Sequence, residues 1–253
     1  MGNVISVVNQ KGGVGKTTTA VNLAAYLGKR MQKTLLIDAD PQANATSGLG
    51  FSKKEQSKTI YEVMVNQLPL HEAILETEYR NLSLCPANID LIGAEIELVS
   101  LIERELVLSE AIKTIVDEYD YIIVDCPPSL GLMTVNALSA SNSILIPIQA
   151  EYYALEGLEL LIGTFNRIKL SSNPNLEILG IVITMFDTRT QLAHQVEAEV
   201  RKHFPNQVFK TVIPRNVRLS EAPSYGRPIL AYDKWSRGAR AYDALAKEII
   251  RMK

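Results

Sequence analysis

Residues 9–19 read NQKGGVGKTTT, and Gly15, Lys16 and Thr17 give the Gly-Lys-Thr ending of a phosphate-binding loop. The ordinary pattern, G-x-x-x-x-G-K-[ST], begins on a glycine; here that position is Gln10, and a second lysine, Lys11, follows it. Gly12, Gly13 and Gly15 let the backbone curl so that successive N–H groups point inward at phosphate oxygens. Lys16 can reach β- and γ-phosphates, and the Thr17 hydroxyl is suited to bind Mg²⁺. The run Lys11–Thr18, with Val14 and Thr18 completing it, is therefore expected to hold a nucleotide.

Such a site also needs carboxylates near the metal. Asp125 ends the apolar run YIIVD, and Asp38 and Asp40 end LLIDAD. Strand residues two apart share a face, so Asp38 and Asp40 are expected to point one way at the carboxyl edge of a sheet, where open α/β folds bind their ligands. Thr17, Asp38, Asp40 and Asp125 are the expected Mg²⁺ residues, with Asp40 positioning the attacking water and Lys16 acting on the phosphates.

The elements that must position these groups alternate along the chain. Strands are expected at 4–8, 34–40, 82–87, 121–127, 143–149, 179–186 and 209–214, and helices among others at 17–29, 94–118, 155–169, 191–204 and 238–253. The strand runs are continuously apolar, as strands covered on both faces are. The alternation predicts a doubly wound, mainly parallel α/β fold with helices on both faces. No repeat, low-complexity tract or linker divides the 253 residues, so one domain, 1–253, is expected. The last helix carries Tyr242, Leu245, Ala246 and Ile249 on one face, which is expected to pack on the body of the fold rather than lie on a membrane.

Composition is that of a globular protein, 47% hydrophobic and 21% charged, and no apolar run approaches the ~18 residues of a membrane span. Cys85 and Cys126 are far apart, so neither a disulfide framework nor a CxxC metal site is expected, and a cytoplasmic setting is. The net charge of −2 is unevenly spread. Residues 1–125 carry 11 Lys+Arg against 17 Asp+Glu, and 126–253 carry 15 against 11. Within 201–240 nine basic residues stand against Glu221 and Asp233, the local excess a polyanion-binding patch needs.

KGGVGKT (11–17) resembles the deviant Walker A motif, K-G-G-x-x-K-[ST], of the ParA/MinD group of P-loop ATPases. The resemblance implies that Lys11 reaches across an ATP-sandwiched homodimer to the partner's phosphates, with Gly12 at the seam. DADPQANATSGLG (38–50), DCPPSLG (125–131), ITMFDTRT (183–190) and VIPRNVRLSEAPSYGRPI (212–229) are similar to the ParA/Soj partition branch, nearly end to end. Ala43 stands where that branch usually has glycine. The family match implies an ATP- and Mg²⁺-dependent partition ATPase with slow intrinsic turnover, stimulated by a ParB-type protein. It implies non-specific binding of double-stranded DNA through Arg189 and Arg218, nucleoid association, and an adenine-side wall of Met185, Pro214, Arg215 and Asn216. The helix-turn-helix domain of larger ParA proteins is not expected ahead of residue 9. The alternative is a membrane-surface positioning ATPase like MinD, which typically has glycine and a leucine-arginine pair where this chain has Pro41 and Gln42. A relative of the nitrogenase iron protein would need cluster-bridging cysteines, for which Cys85 and Cys126 are poorly placed.

Overall fold

In a computed structural model, residues 2–151 and 154–252 are described; Lys253, the last residue of the predicted final helix, lies outside them. Seven strands form one sheet: β1 Asn3–Val7, β2 Thr34–Asp38, β3 Leu75–Glu76, β4 Leu82–Cys85, β5 Tyr121–Asp125, β6 Ser143–Gln149 and β7 Glu177–Thr184. Their order is β3-β4-β2-β5-β1-β6-β7. Every pairing is parallel except β3 with β4.

The continuous apolar runs now have their reason. One face of the sheet sends Val4, Leu35, Ile37, Ile122, Val124 and Ile146 into one core, and the other sends Ile5, Leu36, Tyr121, Ile123 and Leu145 into a second. Helices cover both. The longer ones are α1 Lys16–Lys29, α4 Leu91–Glu97, α5 Val107–Lys113, α6 Leu132–Ser139, α7 Ala154–Ser171, α8 Gln191–His203 and α11 Arg237–Ile250. Short helices α2 Asn44–Gly48, α3 Ile60–Met64, α9 Val217–Glu221 and α10 Ile229–Tyr232 fill the connections. The α11 face of Tyr242, Leu245, Ala246 and Ile249 is buried, and the Tyr242 hydroxyl lies 3.0 Å from that of Thr19 on α1. Among the described residues no helix is long and apolar enough to cross a membrane.

Two expected elements are corrected. The helix expected over 94–118 is broken: α4 ends at Glu97, a 3-10 turn covers Leu98–Ser100, Leu101 is extended, and α5 starts at Val107. Asn136 of α6 enforces the break, because its side chain accepts from Leu108 N (3.1 Å) and donates to the Arg104 carbonyl (2.8 Å). The expected strand 209–214 forms no strand: it meets β7 through the separate amide bonds Phe209 N to the Ile181 carbonyl (2.9 Å) and Ile213 N to the Ile183 carbonyl (2.8 Å), and the bridges at Val208 and Pro214 are isolated. The amides of Lys210 and Thr211 turn away to the Glu248 carboxylate of α11 (2.8 and 3.1 Å), which interrupts a ladder. Strand ends also come earlier than expected where the chain turns: β2 stops at Asp38 because Asp40 N donates back to Asp38 Oδ1, and Pro127–Pro128 follow closely on β5.

Candidate functional site

The loop between β1 and α1 carries the first group of residues. Gly13 and Gly15 have φ of 75° and 86°, the left-handed region that L side chains avoid. Gly12 has no such φ, and a Cβ built on it meets nothing within 4 Å, so nothing inside the protomer demands glycine there. Asn9 braces the loop by donating to the Pro147 carbonyl (2.8 Å) and accepting from Lys11 N (2.9 Å). The Thr184 hydroxyl, at the end of β7, sits between the carbonyls of Val14 and Ile148 (2.7 and 3.0 Å). With the loop fixed on both sides, the backbone N–H groups at the start of α1 face one concavity, and the helix dipole adds positive potential.

The two lysines of the loop are held differently. Lys16 is buried and its ammonium donates to the Lys11 carbonyl (2.9 Å). Burial lowers its pKa, opposed by the nearby charges of Asp125 and Asp40. Lys11 points elsewhere, its ammonium paired with Glu151 at 2.7 Å and both side chains half-exposed.

Asp38 and Asp125 are register neighbours on adjacent strands, both fully buried. Asp38 Oδ2 accepts from Thr46 N and Oγ1, both at 2.7 Å. Burial nevertheless pushes its carboxyl up to about 6, with Asp40 adding to the rise and Thr46 opposing it. Asp125 is pushed well above the carboxylate range, first by burial and then by the charge of Asp38, with the Thr17 hydroxyl pulling the other way. Neither Asp125 oxygen has a partner at full hydrogen-bond geometry. A buried, uncompensated carboxylate is costly and calls for a cation. Asp40 stands just past β2, its Oδ1 accepting from Gln42 N (2.9 Å). Among the described residues no group of three or more His, Cys, Asp or Glu side chains is arranged to hold a metal alone. Mg²⁺ commonly takes one or two carboxylates and completes its shell with phosphate oxygens, so Thr17 and Asp125 fit that pattern.

Between Asp40 and α2 the chain turns, with Ala43 N donating to the Asp40 carbonyl (2.8 Å). Ala43 has φ 50° and ψ 42° and is fully buried, so an alanine occupies a left-handed position where glycine would be unstrained. From α2, Thr46 Oγ1 donates to Asp38 and accepts from Ala87 N (3.0 Å), tying this turn to the chain after β4.

A cleft of about 530 Å³ opens beside the loop, lined by Gly13, Gly15 and Thr18 at one end and by Met185, Pro214, Arg215 and Asn216 at the other. The sequence-predicted wall and cradle thus meet across one cavity. Asn216 also caps α9, accepting from Leu219 N (3.3 Å). Arg189 lies on the loop before α8, its guanidinium forked onto Asp187 (2.9 and 2.6 Å), and it holds the Asp187 carboxyl far below its usual range. Arg218 lies on α9 with Nη1 on Glu221 at 2.9 Å and Nε 3.6 Å from Asp233. Both arginines are exposed and near the cleft in sequence, four residues from Met185 and two from Asn216, but each is paired with a neighbouring carboxylate. Sequence reasoning missed Thr184, Asn9 and Glu151. Thr184 and Asn9 each follow an apolar run, a signal available in the sequence; Glu151 carried none.

A parallel sheet whose central strand passes through a glycine loop into a helix, beside a strand ending in a buried aspartate, defines a P-loop nucleotide-binding protein. A family model described as an AAA domain matches residues 2–178. The chromosome partitioning protein ParA of Myxococcus xanthus (strain DK1622) is 53% identical over 251 residues, 99% of this chain and 89% of that protein. The sporulation initiation inhibitor protein Soj of Bacillus subtilis (strain 168) is 54% identical over 252 residues, 98% of each. Among solved structures, cobyrinic acid a,c-diamide synthase from Mycobacterium smegmatis with bound ATP analog and magnesium superposes with a TM-score of 0.87 at 33% identity, over 99% of this chain and 95% of that one. The chain belongs to the ParA/Soj family of chromosome-partitioning ATPases.

Proposed function

We propose that this chain binds and hydrolyses ATP with Mg²⁺, dimerises around the nucleotide, and in that state binds double-stranded DNA without sequence preference, associating with the nucleoid until a ParB-type partner stimulates hydrolysis. The observation that carries the reading is the pairing, at one site, of a glycine-built anion cradle with the buried carboxylate of Asp125, which has the Thr17 hydroxyl beside it but no partner at full hydrogen-bond geometry. Mg²⁺-bound ATP would supply the reactive phosphoryl group and the metal charge. The chain's own residues then have separable roles. Gly13, Val14, Gly15 and Thr18 present backbone to phosphate, Lys16 neutralises its charge, and Thr17 with Asp125 serves the metal. Asp38, already engaged by Thr46, acts on the metal side through its charge and holds the turn that carries Asp40, the residue assigned to the attacking water. Met185, Pro214, Arg215 and Asn216 bound the base side.

Lys11 is assigned to the partner's nucleotide, and the open space over Gly12 supports close approach of a second protomer. DNA phosphates would displace Asp187 and Glu221 from Arg189 and Arg218, an exchange of one anion for another at two exposed arginines. Because both arginines lie on segments leading from the cleft, nucleotide occupancy and DNA affinity have a short path between them. The test is a DNA titration with ATP, ADP and no nucleotide, with and without a candidate ParB, at several salt concentrations. ATP-dependent binding whose log–log salt slope falls by about 1 for each arginine replaced by alanine supports the reading. Binding indifferent to nucleotide, or an unchanged slope in both variants, refutes it.

A further inference from the structure

Asp40 is assigned to the attacking water, yet the chain that carries it is a turn at the surface. The Asp40 carbonyl accepts from Ala43 N (2.8 Å) and its Oδ1 from Gln42 N (2.9 Å), so residues 40–43 close a turn around Pro41 and Gln42. Pro41 fixes one torsion of that turn. Ala43 leaves it at φ 50°, a left-handed position that alanine adopts at a cost. Gln42 and Asn44, on either side of Ala43, are exposed. None of these contacts holds the outer edge of the turn.

Lys53 holds it. Its ammonium donates to the Gln42 carbonyl and to Asn44 Oδ1 (3.0 Å), and Asn44 Nδ2 donates to Gln42 Oε1 (3.2 Å). One cation thus closes a ring of three hydrogen bonds over the strained residue. The lysine is itself anchored. Gly50, left-handed at φ 88°, turns the chain back after α2. Phe51 N then donates to the Thr46 carbonyl (3.3 Å), and the Phe51 ring packs on the second core. Thr46 is also the residue that holds Asp38, so the start of the turn and its clamp are tied to one short helix. Helix stability does not account for the contact, because a cation is favoured at a helix C-terminus and the Lys53 ammonium sits at the N-terminal end of α2. Hydrogen bonds from an ionised donor are the stronger kind, suited to fixing a backbone carbonyl.

We propose that Lys53 is a positioning residue for ATP hydrolysis: by clamping the Gln42 carbonyl and Asn44 it holds the left-handed turn that aims the Asp40 carboxylate. This role rests on the assignment of Asp40 to the water, and in it Lys53 touches neither nucleotide nor metal. Without the clamp, relief of the Ala43 strain would carry the Asp40 carboxylate out of place.

The test compares Lys53→Met, which keeps an unbranched stem and loses the donors, with Lys53→Arg, which restores them. In the full chain without nucleotide, amide hydrogen exchange over residues 42–46 should be about tenfold faster in Lys53→Met and near wild type in Lys53→Arg. Lys53 is half-buried at the surface, so an unchanged melting curve is expected to show that both variants are folded. In single-turnover hydrolysis of Mg²⁺-ATP, Lys53→Met should lower the rate about tenfold while ATP affinity stays within about twofold. Lys53→Arg should recover most of that rate. Asp40→Ala and Asp40→Ala/Lys53→Met should turn over alike, since the second change has nothing left to misplace. Unchanged exchange, an unchanged rate, or a further loss of rate in the double variant overturns the proposal. So does weaker ATP binding at an unchanged rate, which would make Lys53 a phosphate ligand. Rapid turnover by Asp40→Ala itself would sink the water assignment and this role with it, and the exchange result shows separately whether the clamp exists.

Discussion

Replacing Asp38 with asparagine should change how stability depends on pH by an amount the structure fixes. In the fold its carboxyl titrates at about 6, raised from 3.8. The displacement of about 2 units corresponds to about 3 kcal/mol at 1.36 kcal/mol per unit. The sign follows from which state holds the proton. Below about pH 3 both folded and unfolded chains are protonated at this residue and no penalty exists. As pH rises toward 6 the unfolded chain ionises first, so the folded state loses about 3 kcal/mol, and above 6 the loss is constant. Asparagine never ionises and keeps an oxygen for Thr46. The stability difference, variant minus wild type, should therefore grow by about 3 kcal/mol between about pH 3 and pH 7, whatever its value at low pH. Asp125 titrates in both proteins, and removing the Asp38 charge eases it in the same direction. Urea unfolding at several pH values, without nucleotide and with EDTA, measures this directly. In thermal melts the same change is roughly 6–12 °C for a chain of this size. Parallel pH profiles for the two proteins would refute the buried-charge account of the site.

Three further outcomes are expected. Lys16→Ala should abolish nucleotide binding in titration calorimetry, and retained ATP affinity would remove that lysine from the cradle. Asp40→Ala should accumulate as an ATP-bound dimer in size-exclusion chromatography, whereas rapid turnover by that variant would end its water-positioning role. Ala43→Gly relieves about 1–2 kcal/mol of left-handed strain. It forfeits about 0.8 for the buried methyl and about 0.4–1 in unfolded-chain entropy, so net stability should move by less than about 1 kcal/mol. The turn itself should loosen, with faster amide hydrogen exchange over residues 42–46; unchanged exchange would show that the strain is not stored there.

The cradle, the carboxylates and the doubly wound sheet were legible because each is a local signal: glycines at fixed offsets, aspartates closing apolar runs, strand and helix periods in alternation. What escaped was decided by contacts distant in sequence. Apolar spacing between 94 and 118 reads as one helix, and the bonds that hold it broken come from Asn136 on α6, far along the chain. The run 209–214 has the composition of a strand, and Glu248 on the last helix diverts two of its amides, those of Lys210 and Thr211. Lys11 announced itself by departing from the common loop pattern, yet its present partner, Glu151, lies 140 residues away. The branch similarity pointed to Ala43 as a departure, but that its backbone is left-handed required the fold. Arg189 and Arg218 were found by similarity and by charge; that each already holds a carboxylate was not readable from either.

The lysine contacts within the loop bring two tasks together. Lys16 now holds the carbonyl of Lys11, while the Lys11 ammonium rests on Glu151, a half-exposed pair worth less than about 1 kcal/mol. A phosphate that claims Lys16 shares an ammonium with three donors, one of which now serves the Lys11 carbonyl, while Asn9 Oδ1 continues to hold the Lys11 amide. The lysine that takes a protomer's own nucleotide thus touches the backbone of the lysine offered to its neighbour, whose ammonium must separately leave Glu151. Under the proposed function, an empty protomer would make a poor dimerisation partner because it has no ligand to be gripped, and in either protomer Lys11 must trade Glu151 for the neighbour's phosphate.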